Sequence, residues 1–263
     1  MSFAQKFDKL IQSTDTIASM KIAERNWNPF KPIKSTNSTM TAVDGSIHHT
    51  DVSGLPITVQ HAVAVDKFGT VGFEDTKVGF DLDEELIFLE TKAVIHTLLK
   101  KPDRILADGS IYTIASQPAL WEMYQQYMDE LLNTTVCFIS KSSLSKMSIK
   151  GPLTDAFYFS KGTSSAGFSN PIIDRKYSNC KAITSSFIRL ADNAPLVKLE
   201  LVGEHTEDEI KNVMNDISST QIGGYPYELV LAHQQCLITK EDMDEIVSIC
   251  GLSANEISRQ VLK

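Results

Sequence analysis

The sequence predicts an α/β protein built on one mixed sheet, and three observations carry the prediction. From residue 39 to about residue 76, apolar positions alternate with a period of two in three segments separated by turns, as in an antiparallel meander. Beyond residue 81 helical and strand-like segments take turns, an order that requires parallel strands joined by helical crossovers. The composition, 42% hydrophobic and 22% charged over 263 residues, suits a globular chain with a substantial core.

Residues 3–25 space their apolar side chains, Phe3, Phe7, Leu10, Ile11, Ile17 and Ile22, as one or two amphipathic helices do. NWNPFKPIKSTNS, with two prolines and many small polar residues, reads as a connecting loop. TMTAVD is a strand ending at Asp44, and in 57–65 Ile57, Val59, His61, Val63 and Val65 share one face. A turn at 66–69 leads into TVGFED. DLDEELIFLETKAVIHTLLKK follows as a helix, acidic at its start and basic at its end as the helix dipole favours, and Pro102 stops it. RILAD is a buried strand, 117–132 a helix, and TVCFISK the next strand.

In the second half GTSSAGFSNP reads as a flexible loop, and SFIRL and PLVKLELVG as strands flanking the turn ADNA. Thr206 and Glu209 stand at capping-box spacing before EIKNVMNDI. In GGYPYELVLAHQQCLIT a Gly-Gly-Tyr-Pro turn precedes an apolar, helical segment, and two short helices end the chain, the second opened by Ser253 and Glu256. The expected organisation is a helical segment and linker over 1–38, a main domain over 39–240, and C-terminal helices over 241–263 packed on it.

There is no apolar run of about 18 residues, and the polar start MSFAQKFDKL lacks a signal peptide's apolar centre. A cytoplasmic protein without a membrane span is expected. Cys137, Cys180, Cys236 and Cys250 show no CxxC spacing and read as reduced, mostly buried thiols. A net charge of −8 argues against a simple basic nucleic-acid binder, so any polyanion site must be local or use metal ions.

Two short stretches echo each other: Val43-Asp44-Gly45-Ser46 and Ala107-Asp108-Gly109-Ser110. Each places an aspartate at the carboxyl end of a strand, where open α/β sheets hold ligands, and a glycine that lets the chain turn. Asp-Gly is also a common turn dipeptide. On the intervening helix Leu86, Glu90, Ala93, Val94 and Thr97 share one face, and a carboxylate in an apolar stripe needs a cation or a tilt toward solvent. Three such carboxylates would repel one another, a conflict that Mg²⁺ or Mn²⁺ relieves, and two such ions can clamp a phosphodiester. His48 and His49 beside Asp51 could extend the site or lie on the surface, and His61 reads as a core histidine. Lys141, Lys146 and Lys150 could meet phosphates or be solvated. Arg175, Lys176 and Lys181, with Tyr177 among them, could contact nucleic acid by charge and stacking.

With Asp on the first strand, Glu on the first helix and Asp ending the fourth strand, the chain resembles the ribonuclease H-like superfamily. VDGS, ILADGS, ISKSS at 139–143 and GGYPYELVLAH at 223–233 are similar to the NurA nuclease family over roughly residues 39–240. The resemblance implies a ribonuclease H-like mixed sheet flanked by helices. It implies catalytic metal ligands at Asp44, Glu90 and Asp108, with Glu84 and Glu85 as alternatives on the same helix. His233 would complete the site, Tyr225 would position substrate or support the site, and Lys141 falls in the lysine-serine stretch. It further implies a nuclease dependent on Mn²⁺, or Mg²⁺, holding two ions and acting on single- and double-stranded DNA ends. Homodimers around a DNA channel, docking on a hexameric HerA translocase in end resection, complete the expectation. Other readings of the paired Asp-Gly loops are an actin-like or sugar-kinase ATPase, and an adaptor that clamps DNA without cutting.

Overall fold

The computed structural model describes residues 11–33, 38–52, 54–80, 85–177 and 181–249, together with Ser2, Gln5, Asp8 and Lys9. Helix α1 (Thr14–Arg25) starts at Ser13, whose side chain accepts from the Thr16 N–H. Strands β1 (Trp27–Pro29), β2 (Met40–Val52), β3 (Leu55–Asp66) and β4 (Val71–Gly79) precede helix α2 (Glu85–Leu98). Strand β5 (Arg104–Asp108) leads to three short helices, α3 (Ile111–Ala115), α4 (Pro118–Gln125) and α5 (Met128–Leu132), and then to β6 (Val136–Ser140). Helix α6 (Asp155–Gly162) and strands β7 (Gly167–Ser169), β8 (Ile172–Asp174), β9 (Ile183–Arg189) and β10 (Val197–Val202) come next, followed by α7 (Glu207–Ser218), α8 (Tyr227–Cys236) and α9 (Lys240–Ile249).

The strands form one mixed sheet in the order β1-β7-β9-β10-β6-β5-β2-β3-β4, with β8 paired to β9. Its centre has the expected ribonuclease H-like arrangement: β2, β3 and β4 are antiparallel, and β5 and β6 run parallel to β2. Period-two alternation sends Val43, Ala64, Ile105 and Ala107 to the face covered by α2 and α4. Ala42, Val63, Leu106 and Ile139 go to the opposite face, beneath α7 and α8. The capping box at Thr206 and Glu209 is formed and starts α7.

The structure corrects several sequence-based expectations. Strand β2 does not end at Asp44 but runs on to Val52, because β3 pairs with it along its whole length and Gly45, opposite Ala62, stays extended. The segments read as loops around Trp27 and Phe168 contain β1 and β7, which pair with each other and, through β7, with β9. Three-residue strands are too short to show a period, and only tertiary pairing reveals them. The single helix expected over 117–132 is two, α4 and α5, parted at Gln126 and Tyr127. Helix α6 had no counterpart in the sequence reading. Its sequence DAFYFSKG is aromatic-rich, and it forms against α1 in a cluster with Ala23, Tyr158 and Phe159. Helix α9 packs Met243 and Val247 on Val52, Ile57 and Val59. The second C-terminal helix, and Phe3, Phe7 and Leu10 of the first helical segment, lie outside the described residues. No described helix is long and apolar enough to cross a membrane.

Gly167 shows why β7 exists. Its φ of 154° disfavours a side chain, and a Cβ there would lie 2.3 Å from the Asn28 carbonyl oxygen across the β1–β7 pair. A Gly167→Ala substitution should therefore cost about 1–3 kcal/mol by forcing the strands apart. Denaturant unfolding measures it, and an unchanged midpoint would contradict this packing.

Candidate metal centre

The parallel β2–β5 register brings two of the carboxylates together. Val43 lies beside Ala107, so one step on Asp44 lies beside Asp108, and alternation turns both toward the α8 face. Asp44 is buried; its Oδ1 accepts from the Gly45 N–H at 2.8 Å, and its Oδ2 lies 3.0 Å from His233 Nδ1 on α8. Burial and the neighbouring Asp108 push the Asp44 carboxyl above its usual range, against the opposing pull of the Gly45 N–H, Lys141 and His233.

Glu90 approaches from the other face of the sheet, and Gly45 is what admits it. A Cβ on Gly45 would fall 2.8 Å from Glu90 Oε1 and 2.8 Å from Leu86 Cδ1. This glycine serves close approach rather than a turn, in contrast to Gly109, whose φ is 129°. A mainly apolar cavity of about 120 Å³, lined among others by Val43, Ile87, Val94, Ile114 and Phe138, flanks Glu90 and Asp108. Burial, followed by the charges of Asp44 and Asp108, raises the Glu90 carboxyl to about 8.

The Gly-Gly-Tyr-Pro turn sets Tyr225 against the same cluster. Gly223 and Gly224 take φ of 60° and 80°, and a Cβ on Gly224 would lie 2.0 Å from Ala194 Cβ, so the turn can press onto the β9–β10 connection only with glycine there. The Tyr225 hydroxyl is buried, with no hydrogen-bond partner among the described residues. Burial, then Asp108 and Asp44, drive its pKa upward, so it remains a donor. Lys141, just past β6, places Nζ 2.5 Å from Asp108 Oδ2 and 5.7 Å from the centre of the Tyr225 ring.

Asp44, Glu90, Asp108, Tyr225, Lys141 and His233 are thus brought together. Other candidates are not. Glu85 pairs with Lys77, and Glu84 lies outside the described residues. His48 and His49 sit four and five residues farther along β2, with His49 Nδ1 2.9 Å from Thr58 Oγ1. His61 Nε2 lies 3.2 Å from Glu74 Oε1, and Lys146 donates to the Pro152 carbonyl. Arg175 holds Glu204 through two hydrogen bonds of 2.6 and 2.8 Å. That pair and exposed Lys176 lie where β10 ends and β9 begins, the end of the sheet opposite the carboxylates. Cys137 and Cys236 are buried free thiols; Cys180 and Cys250 lie outside the described residues. The sequence reading missed that Cys236, one helical turn after His233, has its Sγ grouped with Asp44 and His233 within 4.8 Å. The signal was the i, i+3 spacing on α8.

The donors fit a hard divalent cation. Three carboxylates and an imidazole offer the oxygen-rich set that Mg²⁺ and Mn²⁺ take, an orphaned tyrosine hydroxyl faces them, and the cradle at Gly45 leaves their approach open. The Cys236 thiol, pushed up to about 12 by burial, Asp44 and Glu90, is the poorest donor of the group. The folded chain keeps on Glu90 a proton that the unfolded chain releases above about 4.5, so metal-free stability falls as pH climbs from there through about 8. Glu90→Gln removes that liability. In chelator the variant should exceed wild type by roughly 1–3 kcal/mol above pH 8, with the gap closing toward about pH 5. Denaturation across pH checks it, and a gap independent of pH would contradict the raised carboxyl.

Residues 38–236 match the family model described as the NurA domain. The chain is 28% identical over 155 residues to the DNA double-strand break repair nuclease NurA of Sulfolobus acidocaldarius, covering 54% of this chain and 44% of that protein. It is 28% identical over 68 residues to the protein of the same name from Saccharolobus solfataricus, covering 26% and 20%. The matched part therefore spans less than half the length of these curated relatives. In fold, the crystal structure of the NurA nuclease from Sulfolobus solfataricus superposes with a TM-score of 0.78 at 18% identity, covering 95% of this chain and 97% of that one. A NurA crystallised with dAMP and manganese gives 0.65 at 14% identity, with the same coverage. With the family model spanning the whole central sheet and both faces of the carboxylate cluster, the chain belongs to the NurA family.

Proposed function

We propose that this protein is a divalent-metal-dependent nuclease that hydrolyses phosphodiester bonds in DNA. The observation that carries the reading is the convergence of Asp44, Glu90 and Asp108, with Glu90 held protonated to about pH 8 by burial and by its two acidic neighbours. A carboxylate cluster short of positive charge suits a substrate that brings phosphate to bound cations. The relatives' name supports DNA as the substrate, and the related NurA crystallised with dAMP and manganese supports Mn²⁺. The finer features rest on the family resemblance alone: two ions, a cytoplasmic homodimer, and a HerA-type hexameric translocase as partner in end resection.

In this reading Asp44, Glu90 and Asp108 hold the ions. When bound, such ions would supply Lewis-acid polarisation of a phosphate and offset its negative charge. His233, 57% exposed in its side chain and bonded through Nδ1 to Asp44, fills a ligand position or carries a proton between cleft and solvent. Lys141 occupies Asp108 when no other cation does, and turns to a phosphate oxygen when one arrives. The Tyr225 hydroxyl, kept protonated, donates to an oxygen in the cleft. Arg175 and Lys176, at the far end of the sheet, could touch DNA only beyond the cleavage site.

Cleavage of end-labelled single- and double-stranded DNA with Mn²⁺, with Mg²⁺ and with chelator tests this function. Asp44→Ala and Asp108→Ala should fall to background while keeping the wild-type circular dichroism spectrum; undiminished cleavage by both would end the assignment. Lys141→Met should lower kcat/KM roughly tenfold, the worth of one charge-assisted hydrogen bond. Unaltered kinetics would remove Lys141 from the cleft.

A further inference from the structure

A buried ion pair behind the Asp108 turn takes no part in the chemistry described above. Lys198 and Glu200 stand two apart on β10, so both project from one face of the strand. Both are almost fully buried, with Lys198 Nζ 2.8 Å from Glu200 Oε1. The other carboxylate oxygen of Glu200 accepts from Ser110 Oγ at 2.6 Å and from the Ile111 N–H at 3.0 Å. Lys198 also lies 4.7 Å from the centre of the Tyr112 ring. Three consecutive residues after the Asp-Gly step are therefore gripped by one pair of charges.

Such a pair is a poor choice for stability alone, since apolar residues of equal volume usually serve as well or better. What apolar residues cannot supply is an acceptor for the two donors at Ser110 and Ile111. The link between those donors and Asp108 is Gly109, at φ 129° with open space where a Cβ would be, so no side chain of its own restrains it. From the β6 side, Gly109 is held by its N–H to the Ile139 carbonyl at 3.1 Å and by the Ser140 hydroxyl donating to its carbonyl at 2.8 Å. From the β10 side, Glu200 holds Ser110 and Ile111, the next two residues of the turn.

We propose that Glu200, paired with Lys198, is a positioning residue for Asp108: it clamps the turn after the glycine and so fixes the direction of the carboxylate toward the metal centre. The inference rests on reading Asp108 as a metal ligand, and the test separates the two. Mn²⁺ affinity is measured by calorimetry and by the EPR signal of free Mn²⁺, with no DNA present, on wild type, Asp108→Ala, Glu200→Leu/Lys198→Met and Glu200→Gln/Lys198→Met.

The Leu/Met variant should still fold cooperatively, losing only the modest stability of the two donors left without an acceptor, yet bind Mn²⁺ about 10–100-fold more weakly, the usual effect of losing a group that orients a ligand. The Gln/Met variant, whose amide oxygen still accepts from Ser110 and Ile111, should recover most of that loss. A merely structural role would instead make affinity follow melting temperature. Wild-type affinity in the Leu/Met variant, with affinity lost in Asp108→Ala, would overturn the positioning role and leave the metal site standing. Wild-type affinity in Asp108→Ala would overturn the metal assignment and this inference with it. Should the Leu/Met variant not fold, Ser110→Ala removes one of the two clamped donors; a severalfold loss of affinity upholds the proposal and unchanged affinity defeats it.

Discussion

Asp44 and Glu90, held where burial and neighbouring acidic charge oppose their ionisation, form with the adjacent Asp108 the constraint around which this chain is arranged. Asp44 and Asp108 are neighbours because two parallel strands share a register, and Glu90 reaches them through a gap left by a glycine. The cost of this crowding is visible in the raised carboxyls of Asp44 and Glu90. At Asp44 the contact is the His233 imidazole, and Lys141 at Asp108 does not resolve it fully. Divalent ions of matching charge would.

The surrounding fold reads as the means of holding such a cluster still. Strands β2, β5 and β6 bury apolar side chains on both faces, so the ends that carry Asp108 and Lys141 extend from a rigid base. Helix α2 supplies Glu90 from one face, while α8 supplies His233 from the other, and the two lie on opposite sides of a sheet one strand deep. Gly223 and Gly224 press Tyr225 into place, and the Lys198–Glu200 pair grips the turn after Asp108. Dense packing on both faces keeps these separate contributions from drifting independently.

Much of this was legible in the sequence, and the legible parts share a cause. The meander, α2, β5, β6 and the capped α7 announce themselves because periodicity, caps and charge at helix ends are local signals. Asp44 and Asp108 stand out as echoed Asp-Gly-Ser steps at strand ends, and Glu90 as a charge in an apolar helix stripe. The features that escaped depend on contacts distant in sequence. Gly45 looked like a turn residue because its purpose, room for Glu90, exists only once α2 crosses β2. Strands β1 and β7 are too short to carry a period, and α6 is held by α1 rather than by its own propensity. Lys198 and Glu200 lie in a segment legible only as a strand, since nothing local says that α3 will cover them. His233 and Tyr225 drew notice through family resemblance alone, each being unremarkable in its own helix or turn.

The central claim, that this cluster is a cation site whose Glu90 is protonated for want of the cation, has a direct test in proton release. Calorimetric titration of Mn²⁺ into the protein at about pH 7, repeated in buffers of different ionisation enthalpy, counts the protons expelled on binding. Close to one proton should leave per protein at that pH, falling toward none above about pH 9, where the Glu90 proton is already gone. Tight binding with no proton release at pH 7, or no Mn²⁺ binding at all, would contradict it.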